Sequence, residues 1–348
     1  MNKIKPVLAI TMGDPAGIGP EICARVLSRK ETYELCRPVV VGDAKIMQKA
    51  ANLLHLDLKI HAIHDVAEAV FAFGTADVYD LDRIDESDFR WGEVQEQCGD
   101  AAFLYVRKAI DLAMQNQVDG TCTAPLNKEA IHLAGHNYDG HTEIYATFTG
   151  TKKYAMLLAD GPLRVIHVST HVSLREACDR CKKARIIEVT ELMADACRQF
   201  GIGRPKIAVA GLNPHCSEHG LFGWEEEKEI IPAVEELKKR GFDVEGPIPP
   251  DSVFAKAKSG KYDGVVAQYH DQGHIPLKMM GFNWDPQTGR MLPQKGVNIT
   301  LGLPIIRVSV DHGTAFDVAG KGVAADDALF SSVEYATKMA LYRLGIQH

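Results

Sequence analysis

A chain of 348 residues with 46% hydrophobic side chains can bury a sizeable core and is long enough for two lobes. Its 39 Lys and Arg against 46 Asp and Glu leave a formal net charge of −7, which argues against the basic stripe of a nucleic-acid surface and favours small-molecule chemistry. Eight cysteines lie scattered, several inside apolar runs, so they read as small hydrophobes of a protein in a reducing cytoplasm and not as a disulfide framework.

Val7 to Thr11 is a predicted strand: its apolar run is too short for a signal-peptide core and stops at Gly13-Asp14-Pro15. No apolar stretch approaches the ~20 residues that span a bilayer. Gly13 to Glu21 is a tight turn opening a helix at about Pro20. Its spacing is not G-x-G-x-x-G, so the dinucleotide fingerprint is absent, and the turn is either a plain strand-to-helix junction or a phosphate cradle. Val39 to Asp43 is a second strand, with a helical run through Asn52. Alternation of this kind points to a parallel sheet. After an irregular acidic stretch, Asp80 to Asp88, Ala101 to Gln115 has helical spacing. Lys128 follows at a helix start, as a solvated first-turn charge or a functional amine. Ala134 to Glu143 reads as a strained loop with a helix beginning after Thr142. There His141 and Thr142 form a phosphate grip, or else a cap beside a surface histidine.

Tyr154 to Leu158 and Arg164 to Val168 are adjacent strands turning at Asp160-Gly161-Pro162, and the second ends in Ser169-Thr170-His171. Cys178 and Cys181 form a C-x-x-C in a charged helical pattern with no second pair, whereas a structural zinc site wants four ligands. Ile186 to Phe200 is a long helix, and the strand Lys206 to Gly211 leads to Asn213-Pro214-His215. Glu225 to Lys239 is an amphipathic helix whose glutamate run reads as a solvated face. The rigid turn Gly246 to Ser252 delivers Asp251, as an N-cap or as an acid near a site. Tyr262 to Ala267 is a buried strand, and Gln268 to Lys278 is a glycine-punctuated loop gathering two imidazoles, a carboxylate and an ammonium. Three strand ends therefore carry His171, His215 and His270, a repetition that favours one shared three-imidazole site for a divalent ion. A polar insertion from Gly281 to Lys295 precedes a return to sheet, where Arg307 stands in an apolar strand and needs an anionic partner.

Taken together, Gly13-Asp14-Pro15-Ala16-Gly17-Ile18-Gly19-Pro20, Gly140-His141-Thr142-Glu143, Ser169-Thr170-His171, Gly211-Leu212-Asn213-Pro214-His215, Tyr269-His270-Asp271-Gln272-Gly273, Gly296-Val297-Asn298-Ile299-Thr300 and Val310-Asp311-His312-Gly313-Thr314 resemble the 4-hydroxythreonine-4-phosphate dehydrogenase family of vitamin B6 (pyridoxine) biosynthesis. The resemblance runs almost end to end. It implies an α/β, two-lobed, isocitrate/isopropylmalate dehydrogenase-like fold with mostly parallel sheets and no Rossmann fingerprint. A terminal lobe (1–135 plus 285–348) is then expected to hold the nucleotide and a central lobe (136–284) the metal ligands and dimer contact, with the active site in the cleft between them.

The same resemblance implies a homodimer whose metal site is shared, His270 reaching across to His171 and His215 of the other subunit. It makes His141, Thr142, Lys278, Asn298 and Arg307 substrate-binding, Asp251 and Lys128 catalytic, and Asp311, Gly313 and Thr314 contacts to NAD or NADP. The metal is Zn, Mg or Co, the substrate a phosphorylated small molecule, and neither nucleic acid nor membrane is a partner. Oxidation at C3 of a phosphorylated four-carbon acid leaves a ketone β to the carboxylate, from which carbon dioxide departs.

Two departures bear on substrate. Asn127-Lys128, where the biosynthetic enzymes tend to have His-Lys, and the extra His274 look closer to a sister branch acting on D-threonate or D-erythronate 4-phosphate. There a hydroxyl replaces the C2 amine and the product is dihydroxyacetone phosphate. The other departure is the longer join from Asn283 to Gln294. The competing readings are a three-histidine zinc hydrolase, which leaves the phosphate set unexplained, and an effector-binding protein without turnover.

Overall fold

Strand β1 (Val7–Thr11) is buried along its whole length, the condition of an apolar run without alternation in a covered parallel sheet. The computed structural model describes residues 4–281, 284–287, 290–291 and 294–346, so the join from Asn283 to Gln294 lies partly outside the described residues. From β1 the chain continues through α1 (Gly19–Leu27), α2 (Lys30–Leu35), β2 (Arg37–Gly42), α3 (Ala44–Leu53), β3 (Lys59–Ile63), β4 (Thr75–Asp80), α4 (Glu96–Met114), β5 (Gly120–Thr123), α5 (Lys128–Leu133) and α6 (His141–Thr149). A hairpin of β6 (Ala155–Asp160) and β7 (Leu163–His167) follows, then α7 (Leu174–Arg180), α8 (Lys183–Gln199), β8 (Ile207–Ala210), α9 (Ile231–Lys239), β9 (Val244–Ile248), α10 (Pro250–Lys258), β10 (Gly264–Ala267) and α11 (His270–Gly281). The chain closes with the short β11 (Trp284–Asp285) and β12 (Arg290–Met291), then β13 (Val297–Leu301), β14 (Arg307–Val310) and α12 (Asp327–Arg343).

The chain forms two compact units. The first comprises Met1–Tyr154, Pro293–Val297 and Leu303–Gln347; the second comprises Ala155–Leu292 and Asn298–Gly302. Strands of the first run in the order β3-β4-β2-β1-β5-β14. Every pairing along this series is parallel, with Thr11 opposite both Val41 and Thr123, and Ser309 opposite Thr123. The chain builds outward from β1 through β2 on one side and through β5 on the other. The carboxyl ends of β1, β5 and β14 therefore flank a reversal of strand order, the usual place for a ligand in an open α/β sheet.

The second unit runs β13-β6-β7-β10-β8-β9. The adjacent strands expected to turn at Asp160-Gly161-Pro162 pair antiparallel: Asp160 faces Leu163 across Gly161-Pro162, and Gly161 takes φ +52°. β7, β10, β8 and β9 are parallel. Val165, Val265 and Ala208 from these strands pack against Val253 and Ala257 of α10 and Leu277 of α11.

Three local expectations need correction. The stretch from Gln268 to Lys278 is not a loop, because α11 begins at His270 and carries Pro276 inside it. Gly273 serves close packing and not a turn, since a Cβ there would lie 2.3 Å from His167 Nε2. Asp251 is not the N-cap of α10; Pro249 occupies that place and Asp251 stands exposed in the first turn. Helix α6 starts at His141 with Gly140 at φ +147° before it, which puts Thr142 inside the first turn and not at the cap.

Candidate functional site

Two clefts open at carboxyl ends of parallel strands, one in each unit. The first, about 140 Å³, is lined by Thr123, Lys128, Gly140, His141, Ser309 and His312, among others. β5 and β14 deliver its floor, and α5 and α6 its walls. Asn127 caps α5 by accepting from Ala130 N at 2.9 Å, which fixes Lys128 as the first helical residue. Arg307 is 2% exposed, so its guanidinium has lost nearly all water. Its Nη2 donates to Thr123 Oγ1 at 3.3 Å, and its Cζ lies 5.8 Å from the Tyr145 ring centroid. Burial pulls the guanidinium pKa down to about 10, against the opposing influence of Tyr145 and Cys122, so it stays cationic at neutral pH. His141 is pushed well below the ordinary histidine range, first by burial and then by Arg307, and is a neutral imidazole. Its Nε2 is enclosed and has no hydrogen-bond partner among the described residues. A buried cation beside a neutral imidazole, one of whose ring nitrogens has no partner among the described residues, has the donor chemistry that suits an oxyanion.

The Gly13 to Gly19 turn is explained by packing. A Cβ on Gly13 would lie 2.3 Å from Pro125 O, and one on Gly19 2.0 Å from Met12 O. Asp14 Oδ1 accepts from Ala16 N at 2.9 Å, while burial pushes the Asp14 carboxyl up to about 7. Ile18 N donates to Thr314 O at 3.0 Å, so buried Thr314 belongs to the same packing; Gly313 is exposed, and Asp311 N donates to Gly296 O at 3.3 Å.

The second cleft, about 390 Å³, is lined by Thr170, His171, Leu174, Tyr269, His270 and Asp271, among others. Buried glutamines hold its strand ends together. Gln268 Nε2 donates to Ala210 O and Gln272 Nε2 to Gly211 O, both at 2.7 Å, and Ser169 Oγ donates to Gln268 O at 3.0 Å. The ends of β7, β10 and β8, which lead into His171, His270 and His215, are thus tied by three side-chain hydrogen bonds. Ring centroids of His171 and His270 are 5.6 Å apart. His270 Nδ1 sits 2.7 Å from Asp271 Oδ1, which leaves Nε2 for a ligand. His274 stacks on His270 at 3.6 Å, and buried His167 lies 4.8 Å from His274, its pKa driven to about 3 by burial and then by the neighbouring imidazoles.

His215 stands on its own strand end, outside the lining of this cleft. It opens a left-handed run in which His215, Cys216, Ser217, Glu218 and His219 all have φ between 45° and 70°. Such a run costs about 1–2 kcal/mol per residue and persists only where its surroundings enforce it. Glu226 ties down the segment just ahead of it: its Oε1 accepts from Leu212 N at 2.8 Å and Asn213 N at 2.7 Å, and its Oε2 from Asn213 Nδ2 at 2.8 Å. The glutamate run read as a solvated face therefore contains a fully buried member, set in a π-helical turn, Glu226–Ile230, that precedes α9. Asp251 lies near this turn, since its charge, after burial and Glu226, helps push the Cys216 thiol up to about 11.

Among the described residues no three His, Cys, Asp or Glu are set to hold a metal ion. Two imidazoles sharing one cleft nevertheless fit the nitrogen donor chemistry of a divalent ion. Lys278 of α11 and Asn298 of β13 belong to the second unit, and His141, Thr142 and Arg307 to the first. Residue reading missed Tyr145, Glu226, Gln268 and Gln272. Only Tyr145 left a signal, its spacing of four from His141 on one helix.

Strand-end clefts, one beside a buried guanidinium and one presenting imidazoles, on a largely parallel α/β scaffold have the make-up of an enzyme of small anionic substrates. Residues 34–336 match the family described as pyridoxal phosphate biosynthetic protein PdxA, and the chain belongs to that family. A relative from Cupriavidus necator named D-threonate 4-phosphate dehydrogenase is 45% identical over 344 residues, covering 99% of this chain and 100% of its own length. Solved structures titled 4-hydroxythreonine-4-phosphate dehydrogenase are similar throughout. The one from Burkholderia phymatum has TM-score 0.82, 43% identity and 97% and 99% coverage of the two chains. The one from Klebsiella pneumoniae has TM-score 0.82, 46% identity and 97% and 100% coverage.

Proposed function

We propose that the chain is a metal-dependent, decarboxylating dehydrogenase of D-threonate 4-phosphate, using NAD or NADP. The observation that carries this is the buried Arg307 beside neutral His141, a receptor for the 4-phosphate. The full-length likeness to a relative of that name supports the substrate. The titles of the solved structures support 4-hydroxythreonine 4-phosphate as the second reading, differing by an amine at C2.

Arg307, His141, Thr142, Lys278 and Asn298 hold the substrate and present C3 to the nicotinamide, for which Asp311, Gly313 and Thr314 are the proposed contacts. When bound, the nicotinamide would supply the hydride acceptor for oxidation at C3, and Asp251 and Lys128 are the proposed groups that take up and return the hydroxyl proton. The ketone formed lies β to the carboxylate, whose C–C bond then breaks, releasing carbon dioxide and leaving an enolate that takes up one proton. His171, His215 and His270 would hold a divalent ion, Zn, Mg or Co, drawn from two subunits of a homodimer. When bound, it supplies Lewis acidity toward the substrate oxygens. In this reading the enzyme works in the cytoplasm. Exhaustive chelation is expected to abolish NADH or NADPH formation and added divalent ion to restore it. Turnover undiminished by chelation would remove the metal from the reaction.

A further inference from the structure

Arg307 is held by side chains that no substrate contact requires. β14 and β5 are parallel neighbours with Arg307 opposite Thr121, and Thr121 and Thr123 alternate along β5. Thr121 Oγ1 donates to Ile306 O at 2.8 Å, so its proton is committed. The Tyr145 hydroxyl therefore donates to Thr121 Oγ1, at 3.0 Å, and has one fixed direction. That bond pins a completely buried ring whose face meets the Arg307 guanidinium at 5.8 Å, while Thr123 Oγ1 accepts from Nη2 at 3.3 Å. Tyr145 and His141 are four residues apart on α6 and so face the guanidinium together.

We infer that Tyr145, braced by Thr121, and Thr123 are positioning residues that aim the Arg307 guanidinium at the substrate phosphate. A guanidinium has five donors in a rigid plane, and its affinity for an oxyanion depends on which way that plane faces. The ring face and the threonine hydroxyl fix the plane before any anion arrives, which removes a rotamer cost from binding. This rests on the reading of the first cleft as the phosphate receptor, but its test needs no turnover.

Inorganic phosphate is titrated into the full-length protein by calorimetry for wild type, Tyr145→Phe, Thr123→Val and Thr123→Ser. Tyr145→Phe keeps the ring and loses its brace, and Thr123→Val keeps the shape and loses the acceptor. Each is expected to weaken phosphate about tenfold. Thr123→Ser, which restores an acceptor hydroxyl, is expected to bind within about twofold of wild type. A thermal midpoint close to wild type in Thr123→Val, measured alongside, separates aim from folding. Equal phosphate affinity across the four proteins, or a serine variant as weak as the valine variant, overturns the inference. Failure of the dehydrogenase reading shows separately, as absence of NADH or NADPH formation while phosphate affinity still follows Tyr145 and Thr123.

Discussion

Arg307, buried and bonded to Thr123 of the first cleft, is the proposed contact to the substrate phosphate. Arg307→Met is expected to raise KM for a phosphorylated acid about a hundredfold, with a smaller change in kcat, in steady-state kinetics. Asp14 gives a prediction of another kind. Its folded pKa of about 7 lies above the ordinary carboxyl value of 3.8, so the stability it contributes is full below about pH 4 and is lost as pH rises through about 7. Asn at this position can still accept from Ala16 N. Asp14→Asn should therefore gain on wild type by up to about 4 kcal/mol between pH 4 and pH 8 in urea unfolding, and parallel pH profiles would refute this origin. At this scale the sequence was informative where a residue type was out of place, as with an arginine in an apolar strand. It was silent where burial alone changes the role, as with Glu226, whose neighbours Glu225 and Glu227 are charged and unremarkable in pattern.

Helices and strand ends carry the second cleft. Glu226 accepts three hydrogen bonds from the segment leading to His215, so Glu226→Gln should lower stability by about 1–3 kcal/mol and release the left-handed turn, read as faster amide exchange over residues 212–219. Gly273→Ala pushes a methyl group against His167, at 2.3 Å from Nε2, and should lower the urea midpoint by moving α11 away from β7. The strands themselves were legible because continuous aliphatic runs such as Val265-Val266-Ala267 have no other home in an α/β protein. Helix α11 was not, since Gly273 and Pro276 are local breakers, and what holds the helix lies elsewhere: the Gln272 side chain accepts from Gln268 N at 2.7 Å, and Gln272 also reaches Gly211 O. Asp251 failed as a cap because Pro249, with φ −52°, already occupies the N-cap of α10.

At the scale of the whole chain, seven ordered motifs were enough to expect both the parallel α/β architecture and the family, and matches spanning nearly the full length agree with them. No helix among the described residues is long and apolar enough to cross a membrane. Substrate was the level least legible in sequence, because an amine and a hydroxyl at C2 differ by a contact that motif spacing does not record. The extra His274, stacked on His270, and Asn127, capping α5 ahead of Lys128, are the departures nearest the two clefts. The most direct test of the central claim is NADH or NADPH appearance with D-threonate 4-phosphate, D-erythronate 4-phosphate and 4-phosphohydroxy-L-threonine, each with divalent ion present. The account requires metal-dependent turnover with kcat/KM highest for D-threonate 4-phosphate and dihydroxyacetone phosphate as product; reduction of neither cofactor with any of the three acids contradicts it.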